Sequence, residues 1–304
     1  MCRRPPGARR MSNPTSPVIG IIGGSGLYQM DGLTDVEWKK VTSPFGEPSD
    51  ELCFGTLGGH RVVFLPRHGR GHRLAPTDIN FRANIDALKR SGVTDLLSLS
   101  AVGGLREEYP PGTFVVVDQF IDRTFARDKS FFGTGLVAHV SMAKPVCSRL
   151  GNAVISACEG LGVVARRGGT YLAMEGPQFS SSAESHMYRS WGCDVIGMTN
   201  MPEAKLAREA ELCYATVAMV TDFDCWHPDH DAVTVDQVVS VLLGNAGKAK
   251  GLVKNVVPLL GSHTGPCAQG CHRALDHAII TAPPAWDAAM VEKLSAVAGR
   301  VLRR

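Results

Sequence analysis

The chain has 304 residues, 44% apolar and 20% charged; that length suits one large α/β domain or two small ones, and the composition is ordinary for a globular protein. Its formal charge of +3 sits in the first ten residues, MCRRPPGARR: without their four arginines the balance is 3 − 4 = −1, which argues against a nucleic-acid partner. No run of about 18 apolar residues is present to span a membrane, and the basic decapeptide lacks the apolar stretch of a secretory signal.

Residues 1–16 are expected to be a disordered basic leader, with Met11 a candidate start. Short apolar runs rich in β-branched residues then stop at Gly, Ser, Thr or Asp, the pattern of buried strands: 18–22 before Gly23-Gly24-Ser25-Gly26, 61–65 before Pro66-Arg67-His68-Gly69, 95–99 before Ser100, and 113–117 before Asp118 and Gln119. Two more follow, 194–198 before Thr199 and 214–220 before Thr221-Asp222. Helical patterns lie between them at 79–89 (stopped by Gly92), 146–159, 182–191 and 234–257, with a last helix at 284–301. Asn200-x-x-Glu203 reads as a capping-box-like start to a helix through about Leu212. Strands alternating with helices give an α/β class with a mostly parallel or mixed sheet, in one domain with a C-terminal appendage from about Ser262.

Nine cysteines without a framework spacing imply reduced thiols in a cytoplasmic chain. Cys147 and Cys213 read as buried, inert thiols, whereas Cys267 and Cys271, four apart in a Gly/Pro-rich tail, are candidates for an exposed pair.

In open α/β sheets ligands bind beyond the carboxyl ends of strands, where this chain places Ser25, Arg67, His68, Ser100, Thr199, Asp222 and Asp224. The glycine turn around Ser25, the guanidinium fork of Arg67, a donor from His68, the Ser100 hydroxyl, the Ala101 amide and the helix start beside Thr199 together suit an anion such as phosphate. Gln29 breaks the dinucleotide glycine pattern, Leu27 breaks the serine-hydrolase elbow, and no Gly-Lys-Ser/Thr follows. Asp222 and Asp224, two apart, would project to one side in extended backbone and meet a purine edge, one donating to N7 and the other accepting from the 6-amino group. His227-x-x-His230 is read as a lid loop rather than a metal site, and no metal is expected.

GIIGGSGLY at 20–28, RHGRGH at 67–72, NFRANIDALK at 80–89, SAVGGLREEYPPG at 100–112, DQFIDRT at 118–124, MEGPQFSSSAES at 174–185, GMTNMPEAKLAREAELCYA at 197–215 and TDFDCW at 221–226 are the markers of a resemblance that runs over about 18–260. The chain resembles the 5'-methylthioadenosine phosphorylase family, within the trimeric purine nucleoside phosphorylase (type-1 nucleoside phosphorylase) superfamily. The resemblance implies one nucleoside phosphorylase domain over 17–304, with a central twisted mixed sheet flanked by helices. It implies phosphate held by Ser25, Arg67, His68, Ser100, Ala101 and Thr199, with Ser25 and Ser100 where close relatives often carry threonine. Met198 would lie against the ribose, Phe179 would stack on the purine with Ser180 beside it, and Asp222 and Asp224 would act at N7 and N6. Val235, Val238 and Val239 would line a methylthio pocket, and His139 would reach the site of a neighbouring subunit.

Relatives using 6-oxopurines carry glutamate and asparagine where this chain has Ser180 and Asp222, so a 6-aminopurine is expected; a purine nucleoside phosphorylase of 6-oxopurine or methylthioinosine preference is the alternative. A hydrolytic nucleosidase and a non-enzymatic nucleoside-binding module are more distant readings, which the phosphate set disfavours. The expected reaction is phosphorolysis of S-methyl-5'-thioadenosine in purine and methionine salvage, with inorganic phosphate as co-substrate and no cofactor. The expected assembly is a homotrimer or a dimer of trimers, with no nucleic-acid or membrane partner.

Overall fold

The long strand Asp95–Gly104 (β5) is ten residues of DLLSLSAVGG, nearly all buried, and the rest of the sheet is organised around it. The computed structural model describes residues 17–24, 26–227 and 235–303, without the side chains of 235–240, 242 and 243. Ser25, the 1–16 leader and the 228–234 part of the lid loop lie outside the described residues, as do the side chains of Val235, Val238 and Val239.

The remaining strands are Ile19–Gly23 (β1), Leu33–Lys39 (β2), Leu52–Leu57 (β3), His60–Pro66 (β4), Phe114–Val116 (β6), Gln119–Asp122 (β7), Ala165–Arg167 (β8), Thr170–Ala173 (β9), Val195–Gly197 (β10) and Cys213–Asp222 (β11). They form one mixed sheet in the order β2-β3-β4-β1-β5-β10-β9-β7, with β11 pairing the other edge of β5 and leading through β6 to β8. The single-domain mixed sheet flanked by helices expected from the sequence is therefore present.

The helices are Phe81–Arg90 (α1), Ser148–Glu159 (α2), Ser182–Ser190 (α3), Asn200–Glu209 (α4), Val235–Gly261 (α5), Ala288–Lys293 (α6) and Gly299–Leu302 (α7). Asn80 caps α1 by accepting the Ala83 N–H at 3.0 Å, and Gly92 beyond its end has φ +84°, a left-handed turn open to glycine. A capping box starts α3: Glu184 accepts the Ser181 N–H at 2.8 Å while the Ser181 hydroxyl accepts the Glu184 N–H at 3.3 Å. Side chains alternate across the strands, so one apolar layer takes Leu96, Tyr214 and Val220 against α1 and α4, and the other takes Leu97, Leu99 and Val217 against α2 and α5.

Two pairs of strands were not read from the sequence, and one expected helix gives way. β2 and β3 escape a search for apolar runs because β2 is an edge strand, with most of its residues exposed. β8 and β9 are short strands joined through Gly168 and Gly169, both at positive φ. The helix expected over 284–301 is instead α6 and α7, separated by a turn that buries Leu294, Val297 and Ala298. Among the described residues no helix is long and apolar enough to cross a membrane.

Candidate active site

β5 changes neighbours part-way along. Residues Asp95 to Ser98 pair with β1 in parallel, Gly103 and Gly104 pair with β10 in antiparallel sense, and β11 follows the opposite edge throughout. Between Ser98 and Gly103 one edge of β5 therefore has no strand beside it. β1 runs out at Gly23 on one side of this gap, and the chain leaving β10 runs back along β5 as Met198 and Thr199 on the other. Polar side chains collect there.

Arg67, immediately after β4, fills the gap at Leu99. Its Nη1 donates to the Leu99 carbonyl at 2.9 Å, its Nη2 to Ser98 Oγ at 2.6 Å, and Nε and Nη2 bind the two Glu203 carboxylate oxygens at 2.9 and 3.2 Å. A guanidinium has five N–H groups, so one on Nη1 stays open to an anion. Glu203 also accepts from Tyr214 Oη at 2.9 Å, and Asn200 Nδ2 donates to Ser98 Oγ at 3.0 Å and Tyr214 Oη at 2.7 Å. This overturns the capping-box reading of Asn200 and Glu203: Thr199 is the N-cap residue of α4, and both side chains turn inward to fix Arg67. The spacing was visible in the sequence, but the buried cation that claims the carboxylate was not.

Ser100 Oγ lies 3.2 Å from Thr199 Oγ1 and 3.4 Å from Tyr171 Oη, so two hydroxyls meet at the N-terminus of α4, where the helix dipole favours negative charge. Leu99 turns its carbonyl away from β11 towards Arg67. Peptide groups alternate along a strand, so the N–H of Ala101 is aimed into the same gap.

His68 departs from its expected role as a donor. Its Nδ1 faces the Leu74 carbonyl at 2.9 Å, and a carbonyl only accepts, so the ring proton sits on Nδ1. Burial, with the nearby Arg67 and His72 charges, pushes its pKa down to about 4. The neutral ring thus offers Nε2 as a hydrogen-bond acceptor.

At the far end of the gap, Asp222 pairs opposite Gly103 across a register shift in β11. The two aspartates do not lie along extended backbone as the sequence implied. Asp224 sits in a 3-10 turn with φ +52°, and its N–H donates to Asp222 Oδ1 at 2.8 Å. Gly103 makes room for both: a Cβ there would stand 3.0 Å from Asp222 Oδ1 and 3.3 Å from Asp224 Cβ. Burial raises the pKa of each, and the neighbouring Asp222 carboxylate adds to the effect on Asp224. The Thr221 hydroxyl lies 2.7 Å from Asp222 Oδ2 and 3.1 Å from the Val102 carbonyl, but it has one proton. Both contacts are hydrogen bonds when Thr221 donates to Val102 and a protonated Asp222 donates to Thr221. Among the described residues Asp224 Oδ2 is buried and meets no partner at hydrogen-bond distance, although the Ser185 and Ser180 hydroxyls lie near its carboxyl.

Phe179 is exposed and Ser180 half-buried on the segment before α3; the Ser180 carbonyl accepts from Cys225 Sγ at 3.2 Å, which ties this segment to the Asp222–Asp224 turn. Met198 packs over Gly176, where a Cβ would come within 2.5 Å of its sulfur. Its carbonyl accepts from Arg127, which also donates to Met201 O at 2.8 Å and to Glu175 Oε1 at 3.0 Å. Glu175 accepts the Phe125 and Ala126 N–H groups at 2.6 and 3.2 Å as well, so it braces backbone. Arg127 itself was not foreseen. Phe223 and Trp226 pack edge to face at 5.8 Å, and Trp226 Nε1 donates to Gly104 O at 2.7 Å, as wall residues would. His139 is exposed on a segment that pairs with 278–280, and no hydrogen bond joins its side chain to the gap.

A sheet-edge gap with hydroxyls, an amide and a guanidinium at one end and two buried carboxyls of raised pKa at the other is an arrangement for displacing a base from a sugar with an anion. The chain belongs to the phosphorylase superfamily, which it matches over residues 18–258. It is 65% identical over 286 residues to the S-methyl-5'-thioadenosine phosphorylase of Rhodospirillum rubrum, covering 94% of this chain and 97% of that protein. A methylthioadenosine phosphorylase from an antarctic soil metagenomic library superposes with a TM-score of 0.88 at 48% identity, covering 93% of this chain and 99% of the other. A variant of the Schistosoma mansoni adenosine/methylthioadenosine phosphorylase, solved in complex with methylthioadenosine, gives a TM-score of 0.76 at 36% identity over 81% of this chain and 93% of that one.

Proposed function

We propose that this protein is a pentosyltransferase that cleaves S-methyl-5'-thioadenosine with inorganic phosphate, giving adenine and S-methyl-5-thio-α-D-ribose 1-phosphate. One observation carries the reading: the Arg67, Ser100 and Thr199 group and the Asp222–Asp224 pair stand along one stretch of β5 that lacks a strand on one edge. The names of the relatives point to the same substrate.

Phosphate binds to the Ser100 and Thr199 hydroxyls, the Ala101 N–H and the open Nη1 proton of Arg67, with Ser25 completing the cradle. Phe179, Ser180 and Met198 border the nucleoside. The C1'–N9 bond breaks with its electron pair passing to the purine, and Asp222 gives its proton to N7, so that adenine leaves neutral. A phosphate oxygen then bonds to the electron-poor C1', whose positive charge the dianion has stabilised. The hydrogenphosphate proton hydrogen-bonds to the Nε2 lone pair of His68 and, once the sugar phosphate has formed, is lost to solvent, from which Asp222 is reprotonated. Asp224 Oδ2 accepts from the 6-amino group, a donor that a 6-oxopurine lacks. Phosphate is a co-substrate, and no other group enters these steps. Val235, Val238 and Val239 would wall the methylthio group, where a free 5'-hydroxyl would stay unpaired.

His139, exposed on its own chain, is assigned to the site of a neighbouring subunit in a homotrimer, which a dimer of trimers would repeat. Exposed apolar side chains at Phe125 (82%) and Ile280 (64%) support burial between subunits. The test is adenine release from methylthioadenosine with and without phosphate. Release that needs phosphate is expected; equal release in its absence would make the enzyme a hydrolase.

A further inference from the structure

Four cysteines far apart in the chain converge at the opposite end of β11 from the Asp222 site. Cys213 is the first residue of β11, Cys147 is the N-cap residue of α2, and Cys267 and Cys271 flank a turn in the tail after α5. Neither tail cysteine is exposed, contrary to the sequence expectation: the four are 6%, 1%, 7% and 2% accessible. All four sulfurs lie within 4.8 Å of one another, with Cys147–Cys267 at 3.6 Å and Cys267–Cys271 at 3.7 Å. In a tetrahedral tetrathiolate site with metal–sulfur bonds of about 2.3 Å the sulfurs stand about 3.8 Å apart. The cluster is within a small contraction of that geometry.

We propose that Cys147, Cys213, Cys267 and Cys271 bind one structural zinc ion that clamps the C-terminal tail onto α2 and β11. Two features favour a metal over two disulfides. The short sulfur–sulfur contacts share Cys267, so the four meet around a point and do not sort into bonded pairs. The surroundings also suit negative sulfur: the Arg149 guanidinium lies beside Cys213, where a neutral disulfide would not need it. Binding exchanges four S–H protons for the cation and involves no redox change. Soft thiolates in a closed tetrahedron select zinc over magnesium or calcium.

The experiment measures metal in the full chain purified without metal-affinity resin or chelator. One zinc per chain is expected by elemental mass spectrometry, released in step with mercurial titration of thiols. Exchange with cobalt(II) should give the ligand-field and charge-transfer bands of a tetrahedral tetrathiolate. The C267S/C271S double substitution should lose the zinc and the cobalt bands, and lower the melting temperature, while adenine release per folded molecule is kept. If the double variant does not fold, the cobalt spectrum of the unaltered protein decides. A zinc-free protein with four alkylatable thiols, or one whose unreduced peptides carry disulfides among these cysteines, would overturn the proposal.

Discussion

Asp224 donates its backbone N–H to Asp222 Oδ1 at 2.8 Å, so the two carboxyls are fixed to each other before any ligand arrives. The bond depends on a left-handed residue at Asp224 and on the absence of a side chain at Gly103. It gives neighbouring acids different surroundings: Asp222 has both oxygens in hydrogen bonds, whereas one buried Asp224 oxygen has no partner at bonding distance among the described residues.

Asp222→Asn should lower kcat on methylthioadenosine by about 10²–10⁴-fold, the usual worth of a general acid. The KM for phosphate should change little, because Arg67, Ser100 and Thr199 stand apart from the substitution. Steady-state rates of adenine release check this, and near-normal turnover would remove Asp222 from its role.

The pH profile carries a sign. Burial raises the Asp222 pKa, and the proposed mechanism uses its protonated form as the acid. Activity should therefore be held at low pH and fall as pH rises through the folded pKa, and this limb should be missing from the residual activity of Asp222→Asn.

Stability should respond to His68 in the opposite direction. Its folded pKa, about 4, lies below the ordinary histidine value of 6.5, so the unfolded chain binds the proton more tightly. The contribution is present above pH 6.5 and lost as pH falls from 6.5 towards 4. Urea unfolding across that range should show a steeper decline for the parent than for His68→Gln; equal slopes would contradict the buried neutral ring.

Glu203→Gln should cost about 3–5 kcal/mol in urea unfolding, because Arg67 would stay buried without its counter-charge. A loss under 1 kcal/mol would mean that water reaches the guanidinium.

In the proposed mechanism substrate choice rests on the Asp224 carboxyl. Methylthioadenosine should exceed methylthioinosine in kcat/KM by roughly 5- to 150-fold, the equivalent of about 1–3 kcal/mol for one buried group left unpaired. Asp224→Asn should narrow the ratio; an unchanged ratio would move recognition elsewhere.

Much of this was legible from strand endings, because buried strands are apolar runs and whatever polar residue follows them marks the sheet's carboxyl edge. Arg67, Ser100, Thr199 and Asp222 all stood in such places, and the structure gathers them at one gap. The edge strand β2 was illegible because its exposed face leaves no apolar run. Arg127 was illegible because a buried cation has no local pattern; its partners Glu175, Met198 and Met201 lie 48 to 74 residues away.

By itself the sequence determined the α/β class, the order of most elements and which polar residues lie at strand ends, since these follow from local periodicity and turn chemistry. Only the tertiary structure decided that Glu203 serves Arg67 across 136 positions rather than capping a helix, that Asp224 bends back on Asp222, and that two tail cysteines are buried with Cys147 and Cys213. The reason is register: a strand's apolar pattern says that it is buried, but hydrogen-bond partners and sulfur neighbours are set by which strands pair and where each pairing ends.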